Sequence, residues 1–102
     1  MITRIWTAHA TPEGAVRYRR HFETAVLPDL RSTAGFEAAY LLTREAGDGF
    51  EIQVLTLWAS LEAIRAFATA GLDVAVVEPS AIEAVEAYDR TVRHFATEAY
   101  GR

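Results

Sequence analysis

The sequence predicts a single α+β domain, residues 1–102, in which four antiparallel strands carry their helices on one face. Three observations carry that prediction. Phe50 to Ala70 passes from a β-branched and aromatic run, Ile52 to Trp58, straight into a segment of helical spacing. Asp48-Gly49 stands between two apolar runs, which marks a hairpin. Apolar residues occupy both parities of the strands, so neither sheet face is built for water.

Taken in order, Ile2 to Ala10 forms the first strand, with Ile2, Arg4, Trp6 and Ala8 on one face and Thr3, Ile5, Thr7 and His9 on the other. Thr11-Pro12-Glu13 then starts a helix, by a capping hydroxyl, a proline at the first position and an acid in the first turn. That helix runs from about Pro12 to Arg31 on the stripe Ala15, Tyr18, Phe22, Ala25, Val26 and Leu30, and Pro28 is expected to kink or end it. Phe36 to Arg44 and Phe50 to Trp58 are the hairpin strands. Ser60 caps a second helix with Leu61, Ile64, Phe67 and Ala68 on one side, and Gly71 stands where its C-terminal cap belongs. Leu72 to Pro79 is too apolar for an ordinary surface loop. Ser80-Ala-Ile-Glu83 reads as a capping box opening a short third helix. Tyr88 to about Thr97 is the last strand, and Glu98 to Arg102 a frayed tail. This β-α-β-β-α-(short α)-β order is the split βαβ, or ferredoxin-like, pattern. Two such sheets should close face to face as a homodimer.

Composition removes several function classes. The chain has no cysteine, which excludes disulfides, thiolate metal sites and cysteine nucleophiles and fits the cytoplasm. A net charge of −4 argues against a phosphate-backbone partner, so no nucleic acid is expected. No leader pattern opens the sequence and no apolar run approaches a membrane span, so no membrane partner is expected either. Apolar residues make up 51% of the chain, a surplus that a second copy would cover. The three histidines show no ligand spacing, and no metal or other cofactor is expected.

Leu55-Thr-Leu-Trp58-Ala-Ser60-Leu61-Glu-Ala-Ile64-Arg-Ala-Phe67-Ala68 resembles the central block of antibiotic biosynthesis monooxygenase (ABM) domains. Ala75-Val-Val-Glu-Pro79 and Tyr88-Asp-Arg-Thr-Val-Arg-His94-Phe95 resemble that family's closing segment. The resemblance implies a dimeric α/β barrel and one of two chemistries. One oxidises polycyclic aromatic phenols to quinones with molecular oxygen and neither metal nor flavin. The other opens haem and is tied by the resemblance to an asparagine, a tryptophan and a histidine; this sequence contains no asparagine. The expectation is therefore a cofactor-independent monooxygenase for a small aromatic or quinol-like molecule, with a non-catalytic ligand-binding or purely structural barrel as the alternative.

Trp58 is the first candidate residue, either shaping an aromatic slot or corking the strand–helix junction. His94 is the candidate proton shuttle, or else a histidine bonded at a sheet or dimer face. If the protein is catalytic these two should line one cavity, with Phe22 and Phe67 as its walls. Tyr18 can reach such a cavity from the first helix; His21, flanking the apolar stripe, either reaches it from above or, the favoured reading, stands at the surface. Tyr40, Tyr88 and Trp6 can offer rings to a flat ligand or simply pack. His9, closing the first strand, is expected at the surface.

Overall fold

The computed structural model describes residues 1–101. Strand β1 (Ile2–Ala10) leads into α1 (Pro12–His21), a π-helical turn (Phe22–Val26) and α2 (Leu27–Arg31), followed by the hairpin β2 (Phe36–Ala46) and β3 (Gly49–Trp58). The chain continues through α3 (Leu61–Phe67), α4 (Pro79–Ala84), β4 (Ala87–Tyr88) and β5 (Arg93–Ala96). The sheet order is β2-β3-β1-β4, with β5 also on β1, and every pairing is antiparallel. The split βαβ pattern is therefore the fold. β1 and β3 are central, in register from Ile2↔Trp58 to Ala10↔Phe50.

The core lies between helices and sheet. Even-numbered residues of the two central strands face it: Arg4, Trp6, Ala8, Ala10, Ile52, Val54, Thr56 and Trp58 are all buried. Tyr18, Phe22 and Leu30 meet them from the helical side, as the sequence stripe requires. Thr11 caps α1 by accepting from the Gly14 N–H, and Ser60 caps α3 by accepting from the Ala63 N–H. A methyl at Gly14 would overlap the Ala84 carbonyl oxygen, so only glycine lets α4 sit this close to α1.

Local details depart from the sequence expectation. The hairpin loop is Gly47-Asp48 rather than Asp48-Gly49, because Ala46 pairs with Gly49 and Gly47 takes the positive φ, 60°, that the turn needs. Pro28 does not end the helical run, which continues to Arg31. A proline cannot donate to the carbonyl four residues back and clashes with it. The wide turn preceding it, in which the Leu27 N–H bonds the Phe22 carbonyl, absorbs that misfit. The second long helix stops at Phe67, with Ala68 as its C-cap, well before Gly71, and Leu61 is 40% exposed rather than part of the buried face. Glu78, not Ser80, is the N-cap of α4, and no side chain caps it, so the capping box does not form. The last strand is broken in two. Ala8 faces Tyr88 while Ile5 faces Arg93, so the strand carries two extra residues over that interval.

That bulge serves as an anchor. The Val92 N–H bonds the Asp73 carbonyl, the Ala75 N–H bonds the Arg90 carbonyl, and Val74 bridges Thr91. The segment between α3 and α4 is thereby strapped across one end of the core. Its next two residues, Val76 and Val77, make no backbone hydrogen bond among the described residues.

Candidate functional site

A cavity of about 50 Å³ lies between sheet and helices. Its floor is Arg4, Trp6, Val54, Thr56 and Val92, and α1 with the π-helical turn and α2 supplies Tyr18, His21, Val26 and Leu30. Phe67 at the end of α3 and Val76, Val77 and Glu78 of the strapped segment complete it, with Ala81 of α4. The lining is predominantly apolar and aromatic with a few polar groups, the general character of small-molecule sites. Trp6 and Tyr18 stack tilted at 5.5 Å between ring centroids, and the Trp6 indole N–H donates to the Asp89 carbonyl at 2.7 Å. Burial pushes the Tyr18 hydroxyl well above its ordinary pKa, so it stays protonated. His21 stands at the junction of α1 and the wide turn, and its Nε2 is buried with no hydrogen-bond partner among the described residues. Native proteins rarely leave such an atom unpaired.

Arg4 is the charged group of this site. It is 5% exposed. Its Nη1 donates to the Leu72 carbonyl at 2.7 Å and to His94 Nε2 at 2.9 Å, and its Nη2 donates to the Val74 carbonyl at 2.8 Å. Desolvation lowers its pKa to about 10, with Asp73 opposing the shift. A guanidinium has no acceptor, so His94 Nε2 must be the unprotonated nitrogen and its Nδ1, 3.5 Å from Asp73 Oδ1, carries the hydrogen. Burial, and then the neighbouring Arg4 charge, hold the His94 pKa below its usual value against the pull of Asp73. His94 is thus kept neutral and occupied.

Trp6, Tyr18, His21 and Phe67 of the sequence-predicted set come together in the cavity wall. Trp58, His94, Phe22 and Tyr40 do not line it. Trp58 is fully buried, donates from its indole N–H to Thr56 Oγ1 at 2.8 Å, and packs between Phe36 and Phe67. It corks the junction. His94 sits on the same sheet face two strands away, behind Arg4. Phe22 opens the wide turn and packs into the core. Tyr40 is turned outward by a register shift between Phe36 and Ala38, pairs with Leu55 and is 55% exposed. Tyr88 stacks on Trp6 with centroids 6.4 Å apart, and His9 is exposed as expected. Sequence reasoning missed Arg4. The available signal was an arginine at the same parity as Trp6 and Ala8 in a central strand, where a charge is rarely placed without a partner.

No protein-family model and no curated protein matches the chain significantly. Solved structures do. A candidate antibiotic biosynthesis monooxygenase from Bacillus cereus matches over 99% of this chain and 98% of its own, with 18% identity and a TM-score of 0.65. The chain has the ABM-domain fold. SnoaB, a cofactor-independent oxygenase from Streptomyces nogalater, matches with 13% identity and a TM-score of 0.64, over 97% of this chain and 94% of its own. The haem degrader MhuD from Mycobacterium tuberculosis, a structure holding two haems in its active site, matches with 21% identity and a TM-score of 0.63, over 99% of this chain and 100% of its own. These ABM-fold neighbours differ in chemistry, so activity must be argued from the site. No helix among the described residues is long and apolar enough to cross a membrane.

Proposed function

We propose that this protein is a cofactor-independent monooxygenase that oxidises a small aromatic or quinol-like molecule with molecular oxygen. The observation that carries the reading is His21, a histidine in an otherwise largely aromatic and aliphatic cavity wall whose Nε2 has no hydrogen-bond partner among the described residues. Once the cavity opens to admit a ligand, that nitrogen is free to accept the acidic proton of an anthrone-type substrate, whereas the corresponding nitrogen of His94 already accepts from Arg4. The proton-acceptor role therefore moves from His94 to His21. The resulting carbanion supplies the electrons: it adds oxygen to form a hydroperoxide, and loss of the second C–H proton with O–O cleavage leaves a ketone and water. Trp6, Tyr18 and Phe67 hold the ring plane, and the apolar walls exclude bulk water.

A drug-sized ligand occupies on the order of 300 Å³ or more, well beyond the present cavity of about 50 Å³. Binding therefore requires Val76 and Val77, which no backbone hydrogen bond holds among the described residues, to swing outward. The haem reading finds no support in this volume or in a sequence without asparagine.

The reading includes a homodimer. The sheet face away from the helices carries Ile5, Leu55, Leu57 and the exposed Tyr40, Leu42 and Phe95, a patch suited to a second copy with an interface on the order of 2,000 Å². The test is oxygen uptake with an anthrone in air, alongside light scattering of the same sample. Turnover by a dimer is expected, with His21→Ala slowing it about 10²–10⁴-fold. Undiminished turnover in His21→Ala would overturn the assignment of the base. Anthrone binding without turnover would favour the ligand-binding alternative.

A further inference from the structure

The Arg4 side chain is held more firmly than a surface arginine and compensated less completely than a buried one. Three of its five N–H hydrogens are taken, by the Leu72 and Val74 carbonyls and by His94 Nε2. The Nε–H and one Nη2–H meet no acceptor among the described residues, and no carboxylate there forms an ion pair with the guanidinium. Asp73 is the carboxylate that acts on it, from a side chain 79% exposed. A buried cation without a paired anion is costly, and proteins retain one where a ligand completes it. Arg4 also lines the cavity, between aromatic walls, with Glu78 exposed on the strapped segment.

We infer that the cavity takes an aromatic carboxylate, whose two oxygens accept from the remaining Nε–H and Nη2–H of Arg4 while its ring lies against Trp6, Tyr18 and Phe67. This fit requires the Val74 carbonyl to accept the Nη2–H on the Nη1 side, so that the other Nη2–H shares an edge with Nε–H; a carboxylate on that edge accepts two parallel hydrogens where a single hydroxyl leaves one donor unmet. The two backbone carbonyls and neutral His94 act as positioning groups that fix the plane of the fork. The inference rests on the cavity being the ligand site of the proposed oxygenase, and it adds that the substrate is an aromatic acid.

The test is equilibrium dialysis of the intact protein at neutral pH against 1-naphthoate, 1-naphthol and naphthalene, which share one frame. The wild-type chain is expected to bind 1-naphthoate at least about tenfold more tightly than either neutral compound. Arg4→Met should bring the three affinities together. Arg4→Lys, which keeps the charge but loses the fork, should retain part of the preference, and circular dichroism of both variants reports whether they fold. Equal wild-type affinities for 1-naphthoate and naphthalene overturn the inference, even where Arg4→Met does not fold. So do equal affinities for 1-naphthol and 1-naphthoate, or a carboxylate preference that survives Arg4→Met. Binding of naphthalene without the carboxylate preference leaves the oxygenase reading standing, whereas failure of all three compounds to bind removes both.

Discussion

The two tryptophans of this chain face the same side of the same sheet and have different structural roles. Trp58, at the end of β3, has no exposed surface, a hydrogen bond to a side chain on its own strand, and aromatic neighbours on two sides. Trp6, in the middle of β1, is 8% exposed, hydrogen bonds to a distant backbone carbonyl, and forms part of a cavity wall. Both indole N–H groups are satisfied, so hydrogen bonding does not separate them. What separates them is the covering layer. Over Trp58 lie Phe36 and, at the end of α3, Phe67, which seal it by packing. Over Trp6 lie α1 with its wide turn and the strapped segment, and these do not fill the space.

Replacing each indole sharpens the contrast. Trp58→Ala leaves a large hole in a dry corner and should cost about 3–5 kcal/mol of folding stability, read as a large drop in the urea midpoint. Trp6→Phe keeps most of the ring but leaves the Asp89 carbonyl unpaired, for about 1–2 kcal/mol, and widens a cavity that already exists. Its larger effect should be on ligand affinity, measured by dialysis of the same naphthalene series. Equal stability losses from the two changes would show that the corner and the cavity are packed alike.

The smallest expected effect concerns the group behind the cavity. The folded pKa of His94 lies below its ordinary value of 6.5, so as pH falls the unfolded chain binds the proton first. The stability contributed by neutral His94 is complete above that value and is lost as pH drops through the window beneath it. The facing charged groups are Arg4, which deepens the loss, and Asp73, which offsets part of it. His94→Gln keeps an acceptor for Arg4 but does not titrate, so its melting temperature should fall less than that of the wild type between about pH 7 and pH 5. Parallel curves for the two proteins would show that Arg4 and His94 are not coupled as the geometry requires.

Much of this was legible before any coordinates. Segment order, the caps at Thr11 and Ser60, the buried stripe Tyr18, Phe22 and Leu30, and the split βαβ topology follow from spacing within one element, which is local information. The wall residues Trp6, Tyr18 and Phe67 were legible too, because each stands on the apolar side of its own strand or helix, whereas His21 beside the stripe read more readily as a surface residue. The tertiary structure decided the rest, through choices that no local period encodes. A one-residue register shift near Phe36 sends Tyr40 outward, and two extra residues between Tyr88 and Arg93 create the bulge that straps Asp73 and Ala75. That strap brings the Leu72 and Val74 carbonyls to Arg4, turning an arginine in a buried strand into the fixed charge of the site and leaving His94 as its support. Side-chain periodicity places a residue on a face; only long-range pairing decides what covers it.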